Sequence, residues 1–258
     1  MSVLDTFRLD GRVALVTGGS RGLGLQIARG LGEAGAAVAI TARREAGLAE
    51  AVADLQQQGI TAMSAACDIS QFAQVESAVT NVLERFGKID ILVNNAGATW
   101  GAPFEELPLA AWDKVIRVNV DGTYFVSRQV GLHMIERKQG GRIINIASVA
   151  GLRGSDPELM PTLPYNTSKG AVVNFTRALA AALAEHNITV NCICPGFFPT
   201  KMTAATLDRA ADRIVRGTPL RRLGNDQDLK GVALLFASDA SAFITGQVIA
   251  VDGGATAI

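Results

Sequence analysis

Seven short apolar runs, separated by longer amphipathic ones, constrain this chain more than any other feature. They are RVALVT (12–17), AAVAIT (36–41), ITAMSAA (60–66), IDILVN (89–94), RIINIAS (142–148), ITVNCIC (188–194) and QVIAVD (247–252). Most are apolar without strict alternation, which suits strands covered on both faces and hence a parallel sheet. Helical patterns lie between them, at 23–34, 71–86, 123–138 and 168–186. Strand–helix units of this length predict a doubly wound α/β fold: a mostly parallel seven-stranded sheet with helices on both faces. No low-complexity linker, composition break or repeat interrupts residues 1–258, so a single domain is expected.

Composition narrows the partners. Lys plus Arg number 24 and Asp plus Glu number 24, and no block of like charge occurs. That balance lacks the electrostatic footprint of nucleic-acid or anionic-membrane binding. No segment approaches the roughly 20 apolar residues of a membrane span, and MSVLDTFRLDG does not read as a signal sequence. Cys67, Cys192 and Cys194 are odd in number and sit in apolar surroundings. They read as buried free thiols of a cytoplasmic protein, and no ligand cluster suggests a metal.

Two segments break the rhythm. Residues 149–164, VAGLRGSDPELMPTLP, hold three prolines and two glycines. Residues 195–218 begin PGFFPTKMT and continue as a helical pattern. Both leave strand ends on the side where open α/β sheets bind ligands, and so are expected to wall a substrate site.

The run VTGGSRGLG follows the first strand directly and opens a helix. Gly18, Gly22 and Gly24 let the backbone approach a pyrophosphate, and the helix start supplies N–H donors. A ligand-free glycine turn is the plainer reading of an isolated match; its place between strand and helix favours a dinucleotide site of the Rossmann type. Where a carboxylate would accept from a free ribose hydroxyl, this chain has Ala42, then Arg43 and Arg44, with Arg21 inside the turn. Guanidinium groups suit a phosphate dianion. The expected cofactor is NADP(H), with NAD(H) as the alternative. Solvated helix-start charges are the bland reading of the same arginines.

Tyr165 and Lys169 in YNTSK are four apart, so one helix face carries both. A phenol titrates near ~10, and a neighbouring ammonium favours its anion. Pro164 suits a first helical turn and places Tyr165 near a helix start. Ser148 ends the RIINIAS run, where a hydroxyl can donate to a substrate oxygen.

TGGSRGLG, NNAG at 94–97, Asn119, Ser148, YNTSK and PG at 195–196 together resemble the short-chain dehydrogenase/reductase family over about residues 10–254. The resemblance implies a catalytic group of Asn119, Ser148, Tyr165 and Lys169. It places Thr17, Gly18, Ser20, Arg21, Gly22, Leu23 and Gly24 in the dinucleotide turn, and Asp68 and Ile69 beside the adenine. Asn95, Ala96 and Gly97 would line the cofactor. Pro195, Gly196, Phe198 and Thr200 would hold the nicotinamide end, and Tyr165 and Lys169 its ribose. Asn119 would link Lys169 through water to solvent; without the resemblance it reads as a surface or capping residue. The resemblance also implies a homotetramer.

The implied activity is reversible reduction of a ketone to a secondary alcohol with NADPH. The chain is similar to 3-oxoacyl and broad ketone reductases. Its long loop and PGFFPTKMT are also similar to gluconate 5-dehydrogenases. The intact catalytic identities weigh against a non-catalytic NADP(H)-sensing module. Trp100, Phe104, Phe197 and Phe198 each read equally as pocket wall or core. Arg153 reads as a solvated charge or as the partner of a substrate carboxylate or phosphate. The connection from Ser148 to Tyr165 looks longer than is usual in the family.

Overall fold

The computed structural model describes residues 2–258. The strands are β1 (Val13–Thr17), β2 (Ala37–Ala42), β3 (Ala62–Ala66), β4 (Ile91–Asn94), β5 (Gly141–Ile146), β6 (Ile188–Pro195) and β7 (Val248–Val251). They form one sheet of order β3-β2-β1-β4-β5-β6-β7, with every pair parallel. The helices are α1 (Gly22–Glu33), α2 (Glu45–Gln57), α3 (Phe72–Phe86), α4 (Leu109–Ile116), α5 (Gly122–Arg137), α6 (Leu163–Leu183), α7 (Ala204–Gly217) and α8 (Lys230–Ala237).

The two faces of the sheet build two cores. Ala14 and Val16 of β1 join Ile27 and Leu31 of α1, Leu48 and Leu55 of α2 and Phe236 of α8. Val13 and Leu15, pointing the other way, join Val79 and Val82 of α3, Val130 and Met134 of α5 and Leu183 of α6. Burial on both sides explains why the strands read as continuous apolar runs. Fully buried, a side chain of this size contributes roughly 1.5–3 kcal/mol.

The strand order reverses between β1 and β4. Chains leaving the carboxyl ends of those two strands part in opposite directions and open a crevice. At the opposite end, Asp90 closes the sheet. Its Oδ1 accepts from Arg137 Nη1 at 2.7 Å and its Oδ2 from the Val13 N–H at 2.8 Å, with Lys88 Nζ 3.3 Å away.

Two local features bear on the site. β5 stops at Ile146, two residues before Ser148. Ser148 instead caps a short 3₁₀ turn, Val149–Gly151, with extended backbone and its Oγ accepting from the Ala150 N–H at 3.1 Å. Between α4 and α5 the chain widens into a π-helical stretch, Arg117–Asp121, rather than continuing as regular helix.

Candidate active site

The carboxyl end of β1 turns sharply into α1. Gly18 and Gly22 both take positive φ, +66° and +54°, which L side chains resist. Gly24 has no room for a Cβ, which would overlap the Gly18 carbonyl oxygen and the Asn95 amide. Above Gly22 the space is open, bounded only by the Thr200 methyl at 3.6 Å from where a Cβ would stand. Leu25 is the first α1 residue whose N–H is taken, by the Arg21 carbonyl. The N–H groups before it remain for an anion, as at other helix starts.

Neighbouring loops brace this turn. Thr17 Oγ1 accepts from the N–H groups of Asn95 and Ala96 at 3.0 and 3.1 Å. Asn95 Nδ2 donates to the carbonyls of Thr17 and Gly18 at 2.9 and 3.2 Å. Both side chains therefore hold the loop in shape, and Gly97 lies next to Asn119 Oδ1 and Lys169 Nζ. Leu23 is half-buried against the α1–α2–α8 core.

Arg21, Arg43 and Arg44 are exposed, and among the described residues none of their guanidinium groups has a hydrogen-bond or ion-pair partner. Ser20 lies beside Gly47 of α2, so the turn and the arginine pair are neighbours. Glu45 opens α2 next to them, leaving the cluster net positive. Open space over Gly22, free helix N–H groups and unneutralised guanidiniums together fit a dinucleotide bearing an extra phosphate.

Asp68 is half-buried after β3; its Oδ1 accepts from the Ser70 N–H and Oγ at 3.0 and 2.7 Å. Ile69 is buried and packs on Gly122 of α5. Pro195 ends β6, and the Gly196 N–H bonds the Val251 carbonyl at 3.0 Å. Of the two readings of Phe198, pocket wall or core, its side chain takes the second. It is 3% exposed, and its ring fills the space against Gly224. Its carbonyl accepts from Thr203 Oγ1 at 2.6 Å. Trp100 and Phe104 are exposed, so the core reading fails for both.

α6 starts as the proline predicts, with Pro164 in its first turn. Lys169 Nζ lies 5.7 Å from the centroid of the Tyr165 ring. It donates to the Ile146 carbonyl at 2.8 Å. Burial pushes the Lys169 ammonium down to about 8, with Cys192 and Cys194 acting weakly the other way. Tyr165 does not show the lowered value that the spacing suggested. Burial pushes its phenol up, against the Ser148 hydroxyl, which pulls down, while Cys194 adds to the rise. The reason is directional: Lys169 points its ammonium at Ile146 and sits over the ring.

Asn119 lies in the π-helical stretch and is 1% exposed. Its Oδ1 accepts from the Ala98 N–H at 2.7 Å; its Nδ2 donates to the Ala98 carbonyl and to Ser168 Oγ at 2.9 and 2.8 Å. Ser168 Oγ in turn donates to the Tyr165 carbonyl at 2.8 Å. Ser168 escaped the sequence reading, although its place three residues after Tyr165 on the same helix could have flagged it. A second unread group lies below: Asn94 Nδ2 donates to Ser127 Oγ and Asn145 Oδ1, and Asn145 Nδ2 to Thr176 Oγ1. These buried amides tie β4 and β5 to α5 and α6.

The dinucleotide turn, Arg43, Arg44, Asp68, Asn95, Ser148 and Gly196 thus all follow the carboxyl ends of strands β1 to β6. Among the described residues no His/Cys/Asp/Glu cluster could hold a metal, and no helix is long and apolar enough to cross a membrane.

A doubly wound parallel sheet with a glycine turn at its switch point defines a nucleotide-dependent α/β enzyme. The family model described as short chain dehydrogenase matches residues 12–211. The chain belongs to that family and is an oxidoreductase acting on CH–OH groups. It is 40% identical to the 5-keto-D-gluconate 5-reductase of Escherichia coli (strain K12) over 252 residues, 97% of each chain. It is also 40% identical to a 3-oxoacyl-[acyl-carrier-protein] reductase of Chlamydia trachomatis over 247 residues, 95% of this chain and 98% of the relative. A crystal structure of a gluconate 5-dehydrogenase from Burkholderia cenocepacia J2315, in complex with NADP and tartrate, superposes with a TM-score of 0.94 at 42% identity, covering 100% of both chains.

Proposed function

We propose that this enzyme uses NADPH to reduce a ketone to a secondary alcohol, and that Tyr165 is the proton donor. The observation that carries this is the face of α6 bearing Tyr165 and Lys169, set beside Ser148 and next to Gly97 in the loop that braces the glycine turn. NADP(H), when bound, supplies the hydride.

The protein's own residues divide the remaining work. A phenol kept protonated by burial is an acid throughout the neutral range, which suits delivery of a proton to a carbonyl oxygen. Ser148 Oγ accepts from the Ala150 N–H, so its own O–H is free to donate to that same oxygen. Lys169 uses one N–H on Ile146 and keeps two for a ribose hydroxyl and for Tyr165. Asn119 acts as a brace, holding the loop at Ala98 against α6 through Ser168. Arg21, Arg43 and Arg44 select the 2′-phosphate, and the N–H groups of Gly22, Leu23 and Gly24 receive the pyrophosphate.

Residues 149–164 and 195–218 form the substrate walls. Exposed apolar side chains on these segments, among them Leu152 and Met202, and the exposed Trp100 of the loop after β4 support a 3-oxoacyl or broad ketone substrate. A sugar-acid ketone is the second reading. It is supported by the two gluconate-type relatives and by Arg153, whose exposed guanidinium has no partner among the described residues and could meet a carboxylate. Parallel assays with a 3-oxoacyl ester and 5-ketogluconate separate the two. Turnover of neither ketone, under conditions where NADPH binds, would count against both.

The test of the acid is Tyr165→Phe. Loss of at least about 100-fold in kcat is expected, with NADPH binding unchanged, since general acid catalysis contributes on that scale. Turnover near the wild-type level would refute the assignment. The homotetramer is proposed on the edge strand β7 and the turn before it, where Ile249 and Phe243 stay exposed. A monomeric mass by light scattering would refute it.

A further inference from the structure

The two walls of the site are held very differently. The wall at 149–164 is tied down close to Tyr165. Ser155 Oγ accepts from Asn166 Nδ2 at 2.7 Å, and Thr162 Oγ1 donates to Asn166 Oδ1 at 2.9 Å. The Pro161 carbonyl accepts from the Ala102 N–H at 2.9 Å, joining this wall to the loop after β4.

α7, on the opposite wall, has almost nothing of the kind. Its one buried residue is Ile214. The helix breaks at Ala210 (φ −143°, ψ 17°), so it is two short pieces rather than one rigid rod. Among the described residues, one side chain between 204 and 217 makes a polar contact beyond the helix and its flanking turns. That side chain is Arg213. Its Nη2 lies 2.5 Å from Asp156 Oδ2 and its Nη1 3.6 Å from Glu158 Oε2. Asp156 Oδ1 is fixed by the Glu158 N–H at 3.0 Å, so the acceptor is aimed before Arg213 arrives.

We propose that Arg213, gripping Asp156 and Glu158, is the latch that holds α7 closed over the substrate end of the site. This rests on the reading of the two segments as substrate walls. Arg213 is a positioning residue here: it acts on the walls and touches no reacting atom. The pairs are exposed, with side-chain exposures of 55% for Arg213, 38% for Asp156 and 82% for Glu158. Exposed pairs are individually weak, and one cation shared by two carboxylates shifts a closed–open equilibrium by about fivefold. A lid that opens in every turnover needs a grip of that order. A buried, strong pair would lock it.

The experiment compares full-length wild type, Arg213→Gln, Arg213→Lys and the charge-swapped pair Arg213→Glu with Asp156→Arg. Hydrogen exchange is measured by peptide mass spectrometry, and steady-state kinetics with NADPH and a ketone that the wild type turns over. In Arg213→Gln, exchange across 204–217 should rise several-fold while strands β1, β4 and β5 keep their protection. KM for the ketone should rise about fivefold, with kcat unchanged or higher. Arg213→Lys and the charge swap should both return towards wild type. Raising salt should loosen α7 and raise KM in the wild type but not in Arg213→Gln.

Unchanged exchange at 204–217 in Arg213→Gln would overturn the latch. So would a rise spread equally over the core, which marks general destabilisation, or identical salt dependence in both proteins. If the wild type turns over no ketone, the proposed function fails, and the exchange data still decide the latch.

Discussion

Lys169 carries a charge in a place that resists one, and removing it should stabilise the protein. The residue is 5% exposed and its one hydrogen bond goes to the neutral Ile146 carbonyl. Among the described residues no carboxylate pairs with it. Burial lowers its ammonium from 10.5 to about 8, which corresponds to about 3 kcal/mol of folding free energy forgone at neutral pH. Methionine is of similar length and keeps the packing without the charge. Losing the bond to Ile146 costs about 1 kcal/mol, so Lys169→Met should gain about 2 kcal/mol at pH 7. In a domain of this size that raises Tm by roughly 4–8 °C.

The sign of the pH dependence makes the claim specific. Below about 8 the lysine is protonated both folded and unfolded, and the advantage of the variant is full and flat. Between about 8 and 10.5 the unfolded wild type holds a proton that the folded wild type has released. The wild type therefore gains stability as pH rises, and the gap closes. Urea denaturation of both proteins without cofactor, at neutral pH and again near pH 10, measures it. A Lys169→Met protein less stable at pH 7, or an advantage that does not change with pH, would refute the reasoning. Activity should be lost in the same variant, so that stability and function move in opposite directions.

Other expectations follow from the same geometry. Gly24→Ala forces a Cβ onto the Gly18 carbonyl and should cost about 1–3 kcal/mol, with weaker NADPH binding, read by thermal melts with and without cofactor. Arg43→Ala with Arg44→Ala should raise KM for NADPH at least about tenfold and leave that for NADH unchanged, because only charge-assisted bonds to the extra phosphate are lost. Asp90→Ala leaves Arg137 buried without its counter-charge and should cost about 3 kcal/mol in urea denaturation. Because Asp90 lies at the far end of the sheet, KM values should not move.

What could be read in the sequence was what local chemistry determines. The strands were legible because burial on both faces leaves continuous apolar runs, and each run coincides with an observed strand to within one or two residues. Gly18 and Gly22 were legible because positive φ demands glycine. Tyr165 and Lys169 were legible because a helix fixes their relation. The setting of Ser148 was not legible: a strand and a capped 3₁₀ turn differ by where a hydroxyl finds its donor, here Ala150. The direction of the Tyr165 shift was misread, since spacing brings an ammonium near a phenol but does not say which group the ammonium will face.

The parts that stayed hidden are contacts between segments far apart in the chain. Asn119 looks like any polar residue on a helix until Ala98 and Ser168 arrive from two other elements. Arg213 looks like one more solvated charge of an amphipathic helix, and Asp156 and Glu158 like ordinary loop acids, until the fold sets them side by side. This division has a physical basis. Chemistry at the reacting centre uses rigid short-range geometry, which a helix or a turn encodes within five residues. The proposed hold on the substrate end uses weak exposed contacts, whose partners, Arg213 and Asp156, lie some sixty residues apart. The ketone this enzyme prefers should therefore respond to changes at Arg213, Asp156 and Arg153, while the chemical step responds to Tyr165 and Ser148.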